Sequence, residues 1–385
     1  MAALAETAQQ NVRKCKQILH RRAPLARQLC RCMQARARPH VRTSRHVYRH
    51  NSPRTRCCTD DNTRFEALRS WIHARGGRVH PALRLTCSDT GGRELSVSSR
   101  VEAGVVLAHV PSLCCLHTPL AGAAPWPARV AIELLRIAED AEYRAVVDLW
   151  PQTVPVLSLA SWSTLELLAH VLPDVIDAAC NCQLELMSYN PDDCVSPERW
   201  KWALSLALSR TCCPDGGPGH VLAPVFDLAN HDTSGDAPCE WAWCVETSAL
   251  QIRTARALDV GDAARISYGQ HGNAALALSY GFVVDDNADD AMPLFNTCDE
   301  TGRFGAISGE LLDTLAAQHG GAEDAVRAAV HGRAEELLRE CRWNMTDLSE
   351  MSLAGGQQHS ELTVALRLLE ARRTLLQELL HACLL

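Results

Sequence analysis

The chain has 385 residues, 47% of them hydrophobic and 22% charged, with 18 cysteines and a formal charge of −7. That composition is ordinary for a globular protein of one large or two smaller domains. Charges interrupt every apolar run before the ~20 residues a membrane span needs, so no membrane partner is expected. The cysteines are scattered or adjacent, as at Cys57-Cys58, Cys114-Cys115 and Cys212-Cys213. They lack the paired C-x-x-C spacing of structural zinc, so no metal site is expected, and thiols reduced in an intracellular compartment are.

The charge is unevenly placed. Residues 1–59 hold fourteen Lys and Arg, from Arg13 to Arg56, against the single acid Glu6, leaving 24 basic against 44 acidic residues in the body. An acidic body repels nucleic acid and attracts basic protein segments within the range that salt allows. The Arg-rich residues 1–59 read as a disordered tail or as an organellar transit peptide, so cytoplasm, nucleus and organelle all remain open as compartments.

Ordered elements are expected from Thr63 onward. Thr63-Arg64-Phe65-Glu66 has capping-box form, and Phe65, Leu68 and Ile72 follow at helical spacing up to Gly76-Gly77. Leu95-Ser96-Val97 alternates as a strand does, and Val105–Val110 reads as a short buried strand closed by Pro111. The stretch from Trp126 to Met187 reads as helical, with a capping box at Ser163 and Glu166. Ser196-Pro197 opens a helix through Trp200–Arg210, and Gly216–Gly219 breaks the chain. Short β-type runs then extend from Val221 to Phe282, with a helical piece from Asn273 to Ser279 inside them. Asp285–Asp290 reads as an acidic linker. A final helix capped by Ser360 places Leu362, Leu366, Leu369, Leu376 and Leu380 on one intramolecular stripe.

Two constellations carry chemistry. The buried run Val221–Phe226 ends by delivering Asp227, Asn230 and His231, polar groups that need partners because an unpaired one costs about 1–3 kcal/mol when buried. A local turn with Asp and Asn bonding the backbone is one reading. The second constellation holds two of the five tyrosines: Ile266-Ser267-Tyr268-Gly269 and Leu278-Ser279-Tyr280-Gly281-Phe282. Singly, each tyrosine reads as a core or edge residue with a bonded hydroxyl.

Taken together, Pro224-Val225-Phe226-Asp227-Leu228-Ala229-Asn230-His231, Ile266–Gly269, Asn273 and Tyr280-Gly281-Phe282-Val283 resemble the SET-domain methyltransferases of the Rubisco large-subunit lysine methyltransferase type. Phe65–Pro111 is similar to that family's first SET segment, Trp126–Leu172 to its helical insertion and Gly305–Leu385 to its helical lobe. The resemblance implies an α+β fold of short sheets with a helical insertion, followed by an all-helical substrate-binding lobe. It divides the chain at 60–118, 119–195, 196–284 and 285–385. It implies S-adenosylmethionine as cofactor, held by Asn230, His231, Asp227 and Arg210, with Arg93 and Glu94 in the first segment's turn. Tyr280 matches the catalytic tyrosine, and Tyr268 matches a wall of the channel for the acceptor amine. The implied partner is a lysine-bearing segment of a non-histone protein, and a monomer is expected.

Two departures stand out. Gly92-Arg93-Glu94-Leu95 has Glu94 where the family has a glycine touching the cofactor, so weakened cofactor binding is expected there. Asp289–Leu294 lacks the further tyrosine the family often has. A histidine-methylating branch of the family and an inactive binding module remain alternatives at this point. The tyrosine at 280 favours lysine over histidine.

Overall fold

The computed structural model describes residues 59–87, 92–169, 172–191, 195–292, 323–354 and 359–383. The basic tail before Thr59, Gly91 and the part of the expected helical lobe before Glu323 lie outside them. In chain order the elements are α1 (Thr59–His73), β1 (Arg78–Val79), β2 (Leu83–Cys87), β3 (Arg93–Val97), β4 (Val106–Pro111), β5 (Leu116–Thr118), α2 (Trp126–Ala138) and α3 (Arg144–Val147). There follow α4 (Trp162–Leu168), α5 (Pro173–Met187), α6 (Pro197–Arg210), β6 (His220–Leu222), β7 (Cys239–Cys244), β8 (Ala249–Thr254), α7 (Asn273–Ser279), α8 (Glu323–Ala354) and α9 (His359–Cys383). Over the described residues the chain gathers into two compact units, one from residues 59–154 and Tyr189–Gly269, the other from Pro155–Ser188 and the described residues after Gly269.

The first unit carries every strand among the described residues. β1, β4, β8 and β7 form an antiparallel sheet in that order, while β2 pairs with β3 and β5 with β6. β4 lies between β1 and β8 and buries Leu107, Ala108 and Val110, with His109 half-buried between them. α1 buries Phe65, Leu68 and Ile72 as the spacing predicts. It starts at Thr59, four residues before the expected capping box, since Asp60-Asp61 place acids where a helix N-terminus favours them. α6 begins as read: the Ser196 side chain accepts from the Arg199 N–H at 3.2 Å, with Pro197 in the first turn. Its Ala203, Leu204 and Ala207 are buried, as are Val130, Ala131 and Leu134 of α2, the helix it packs against.

Among the described residues the second unit is helical. Its core joins Leu168, Val175, Ile176 and Ala277 to Leu369 and Leu376 of the final helix. The expected leucine stripe of α9 is therefore intramolecular core: Leu362 is buried too, and Leu366 and Leu380 are half-buried against it. Two cap positions differ from expectation. α4 is capped by Ser161, whose hydroxyl accepts the Thr164 N–H at 3.2 Å, because the chain leaves the extended conformation there and not at Ser163. α9 begins at His359, which puts Ser360 inside its first turn. Asp285–Asp290 is no free linker. Arg367 pairs with Asp285 at 2.9 Å, and Asp290 is buried at the start of α7. Cys87 is disulfide-bonded, contrary to the expectation of reduced thiols, whereas Cys114, Cys115, Cys180, Cys212 and Cys239 are free.

One ion pair crosses the core of the second unit. Arg372, 6% exposed, places both terminal nitrogens on Asp174, at 2.8 and 2.6 Å. Burial works against the ionised Asp174, yet the twin hydrogen bonds and the charge of Arg372 outweigh it and hold the carboxyl below the usual carboxylate range. A carboxyl depressed in the fold contributes stability above its unfolded pKa, and that stability is lost as the pH falls through its folded pKa. Asp174→Asn should therefore flatten the acid limb of a plot of unfolding free energy against pH. Arg372→Met should cost about 1–3 kcal/mol in urea titrations at neutral pH, less than a fully buried pair because Asp174 keeps 29% exposure. An acid limb unchanged in Asp174→Asn would show that the pair does not stabilise the fold.

Candidate functional site

The site in the first unit starts where β6 ends. The strand stops at Leu222, earlier than the apolar run suggests, and the chain reverses at Val225, whose φ of 72° and ψ of −47° lie in a region strained for a β-branched residue. Such a conformation costs about 1–3 kcal/mol and persists only where the surroundings impose it. Here Val225 is fully buried, and a 3-10 turn over Phe226–Leu228 follows, with the Asp227 N–H bonded to Ala223 O at 3.0 Å. The turn releases Ala229, Asn230 and His231 in extended form.

A second segment, Ile266–Tyr268, straps these residues down. Ile266 N–H donates to Asn230 O at 3.0 Å, and Asp232 N–H donates to Ile266 O at 2.9 Å. The Tyr268 N–H donates to His231 Nδ1 at 3.2 Å and its hydroxyl donates to Ala229 O at 2.8 Å. The two rings lie 5.1 Å apart, tilted by 34°. Trp241 Nε1 holds the Ser267 carbonyl at 3.0 Å while its ring meets Phe226 edge-on at 4.9 Å. Thus Asn230, His231 and Tyr268, thirty-odd residues apart in sequence, form one cross-tied group. The hydroxyl of Tyr268, expected to face an acceptor amine, spends its proton on the main chain of the same group.

Asn230 also reaches the other side of the site, its Nδ2 donating to Arg93 O at 2.9 Å. That bond leaves its amide oxygen without a hydrogen-bond partner among the described residues. Arg210, at the end of α6, bonds Asp227 O and stands 3.9 Å from the Asp227 carboxylate, which is 3% exposed. Burial pushes the Asp227 carboxyl up, against the pull of Arg210 and Arg93. Arg93 is in turn lowered by burial and by Arg210, with Asp61 and Asp227 opposing and Arg64 adding to the positive side. Arg93, Arg210 and Arg64 thus share one charged group with Asp227 and Asp61, and Arg210 Nε is buried without a hydrogen-bond partner among the described residues.

Glu94 takes an ordinary strand conformation. It sits in β3 opposite Thr86, outside the positive-φ region that only glycine takes easily. Its carboxylate accepts from Arg265 Nε at 2.8 Å and Nη2 at 2.6 Å, so the side chain is tied to its neighbour. Arg265, Asp61 and Arg64 were not singled out in the sequence. Asp61 and Arg64 pair at i,i+3 within α1, which reads as an ordinary helix-surface pair, and the partner of Arg265 lies in β3, far off in sequence.

Tyr280 belongs to the second unit. It follows α7, where its N–H donates to Leu276 O at 2.8 Å, and Gly281 turns the chain with a φ of 76°. A Cβ at 281 would stand 2.8 Å from the carbonyl carbon and oxygen of Pro155. Asn273 starts α7 fully buried. Its N–H and Nδ2 donate to Asp290 at 2.8 and 2.7 Å, and it exchanges two bonds with Val284. Its role is to fasten α7 to the following loop. Among the described residues no His, Cys, Asp and Glu cluster could hold a metal ion. No described helix is long and apolar enough to cross a membrane.

Comparison with known structures places this architecture. The chain is similar to the SET domain of LSMT bound to lysine and AdoHcy, at a TM-score of 0.51 and 15% identity over 83% of this chain and 91% of that one. Rubisco LSMT bound to AdoMet gives 0.54 and 16%, with the same coverage. The form bound to sinefungin and monomethyllysine gives 0.52 and 17%, again over 83% and 91%. The chain therefore has the SET-domain fold, an α+β arrangement of short antiparallel sheets and helices. Among curated proteins of Schizosaccharomyces pombe it is 20% identical over 247 residues to ribosomal lysine N-methyltransferase set11, covering 60% of this chain and 64% of that protein. It is 33% identical over 93 residues to SET domain-containing protein 8, covering 23% and 20%. The chain spans less than two thirds of the length of either relative. No protein-family profile matches it.

Two variants probe the local geometry. Tyr268→Phe should lower the unfolding free energy by about 0.5–1.5 kcal/mol in denaturant titrations, the net worth of the lost bond to Ala229. Unchanged stability would mean that the hydroxyl does not brace the strap. Gly281→Ala should cost at least about 1 kcal/mol, since the residue needs a positive φ and its methyl would meet backbone, not a movable side chain. A melting temperature equal to that of the parent chain would contradict the close approach to Pro155.

Proposed function

We propose that this chain is an S-adenosylmethionine-dependent methyltransferase acting on a lysine side chain of a non-histone protein. The observation that carries the reading is the cross-tied group of Asn230, His231 and Tyr268 beside Arg93 and Arg210, whose Nε is buried without a hydrogen-bond partner among the described residues. The SET-domain fold, and the lysine and cofactor named for the structures it resembles, point the same way.

The residues fit the cofactor by the chemistry of their donors. Arg210 and Arg93 would take its carboxylate, with Asp227 holding Arg210 in place, and a guanidinium fork grips a carboxylate through two parallel bonds. The spare amide oxygen of Asn230 and the main chain around His231 would hold the adenosyl part. When bound, the cofactor supplies an electrophilic methyl group on a sulfonium. The Glu94 carboxylate, tied to Arg265, is held by its neighbour, which supports the active reading over an inactive module.

The acceptor must be a neutral amine, because an ammonium has no lone pair to attack with. Tyr268 would bound its path, and alignment for in-line attack is where such a reaction gains most of its rate. Water leaving the site takes the lysine proton, since no dedicated base is assigned. The acidic body suits a basic, lysine-bearing partner. The ribosomal relative fits a non-histone one.

Incubation of the full chain with methyl-labelled S-adenosylmethionine and cell lysate, then mass spectrometry of the labelled peptides, tests the reading. Label on lysine supports it, whereas label on histidine, or none, overturns it. Tyr280→Phe should lower kcat by about 100-fold with calorimetric cofactor affinity within about threefold, and equal loss of both would make the residue structural. Asn230→Ala should abolish calorimetric cofactor binding, and unchanged affinity would remove it from the site.

A further inference from the structure

Asn230 is anchored twice within the first unit. Its Nδ2 donates to Arg93 O at 2.9 Å, and its own carbonyl accepts the Ile266 N–H at 3.0 Å. The anchors belong to different segments, Arg93 to β3 and Ile266 to the strap. The separation of those segments decides whether one asparagine can satisfy both bonds, because an N–H donor and its acceptor bond well only within about 2.7–3.2 Å.

Main-chain bonds join the two segments part of the way. The Gly261 N–H donates to Val97 O at 2.8 Å, Val97 N–H to Asp262 O at 3.0 Å and Ala264 N–H to Leu95 O at 2.8 Å. Beyond Leu95 and Ala264, toward the anchors, no further main-chain bond joins them among the described residues, and side chains take over. Arg265, next to Ile266, places Nε at 2.8 Å and Nη2 at 2.6 Å from Oε1 of Glu94, the residue next to Arg93. The pair closes a ring that runs from Asn230 to Arg93, along the chain to Glu94, across to Arg265, along the chain to Ile266 and back to Asn230.

Both members of the pair are fixed at their main chains. The Arg265 carbonyl accepts the Cys239 N–H of β7 at 3.1 Å, and the Glu94 carbonyl accepts from the Thr86 hydroxyl at 3.2 Å. The side chain of Glu94 is 13% exposed and that of Arg265 38%. The pair is therefore partly sheltered from the solvent screening that leaves surface pairs worth little, and its bonds are of the strong, charge-assisted kind.

We propose that Glu94 and Arg265 form a positioning pair for Asn230, setting the separation of its two anchors and with it the direction of the amide. For its effect on cofactor binding the proposal rests on the reading of Asn230 as a cofactor-holding residue; the effect on the Asn230 side chain stands without it.

In the full chain with isotope-labelled asparagine, the side-chain amide signal missing from Asn230→Ala identifies Asn230. Glu94→Ala and Arg265→Ala should each shift that signal in the cofactor-free chain. Each should also weaken calorimetric affinity for S-adenosylmethionine by about 5- to 20-fold, with kcat at saturating cofactor within about twofold. The double variant should lose about as much as either single one, because the pair acts as a unit. Arg265→Lys, which keeps the charge but not the fork, should lose less than Arg265→Ala. If the alanine variants do not fold, Glu94→Gln and Arg265→Lys carry the same spectral expectation. An Asn230 signal unmoved in the single variants overturns the proposal, as do losses of affinity that multiply in the double variant. A parent chain that binds no S-adenosylmethionine would instead sink the proposed cofactor site, and the Asn230 signal would then decide the role of the pair.

Discussion

The carbonyl of Ala229 and the hydroxyl of Tyr268 meet at 2.8 Å, and the candidate site of the first unit depends on that junction. The segment after β6 is a polar strand end with no sheet neighbour of its own. Left alone, its amides and carbonyls would be solvated and its side chains free to wander. Ile266–Tyr268 supplies the missing neighbour through a short parallel bridge at His231 and Ile266. Buried Ile266 holds the crossing from beneath, and Trp241 holds it from the side through Ser267. The positive φ of Val225 becomes intelligible in this light. A strained turn is tolerated because the strap, the 3-10 turn and complete burial of the valine together leave no relaxed alternative.

Charge is arranged around the same strand end. Asp227 lies beside Arg210 and Arg93, and Arg64 and Asp61 extend the group. Desolvation raises the Asp227 carboxyl and lowers the Arg93 guanidinium, and the charge of each partly offsets the shift of the other. Glu94 does not join this group, because Arg265 claims it from the neighbouring crossing segment. One ion pair thus keeps the Glu94 carboxylate occupied by Arg265.

Much of the element pattern was legible in the chain itself. Phe65, Leu68 and Ile72 announced α1, Ser196-Pro197 announced α6, and the leucines of α9 announced a core-facing stripe, since periodicity and capping act between residues near in sequence. The short motifs around Asn230 and Tyr280 announced the SET-domain fold, which the structural likeness bears out. The cap at Ser161 and the start of α1 at Thr59 were misplaced, because neighbouring serines, threonines and aspartates compete for one end and packing chooses between them.

The sequence by itself determined the polar cluster, the two tyrosines and the surplus of acid in the body, because these follow from residue identity and spacing. Only tertiary structure decided their partners. It gave the Tyr268 hydroxyl to Ala229, Glu94 to Arg265, and Asp290, in what read as a linker, to the buried start of α7. Each of these contacts joins residues whose meeting is fixed by the path of the chain between them, and pairings of that kind leave no periodic trace in the amino-acid order.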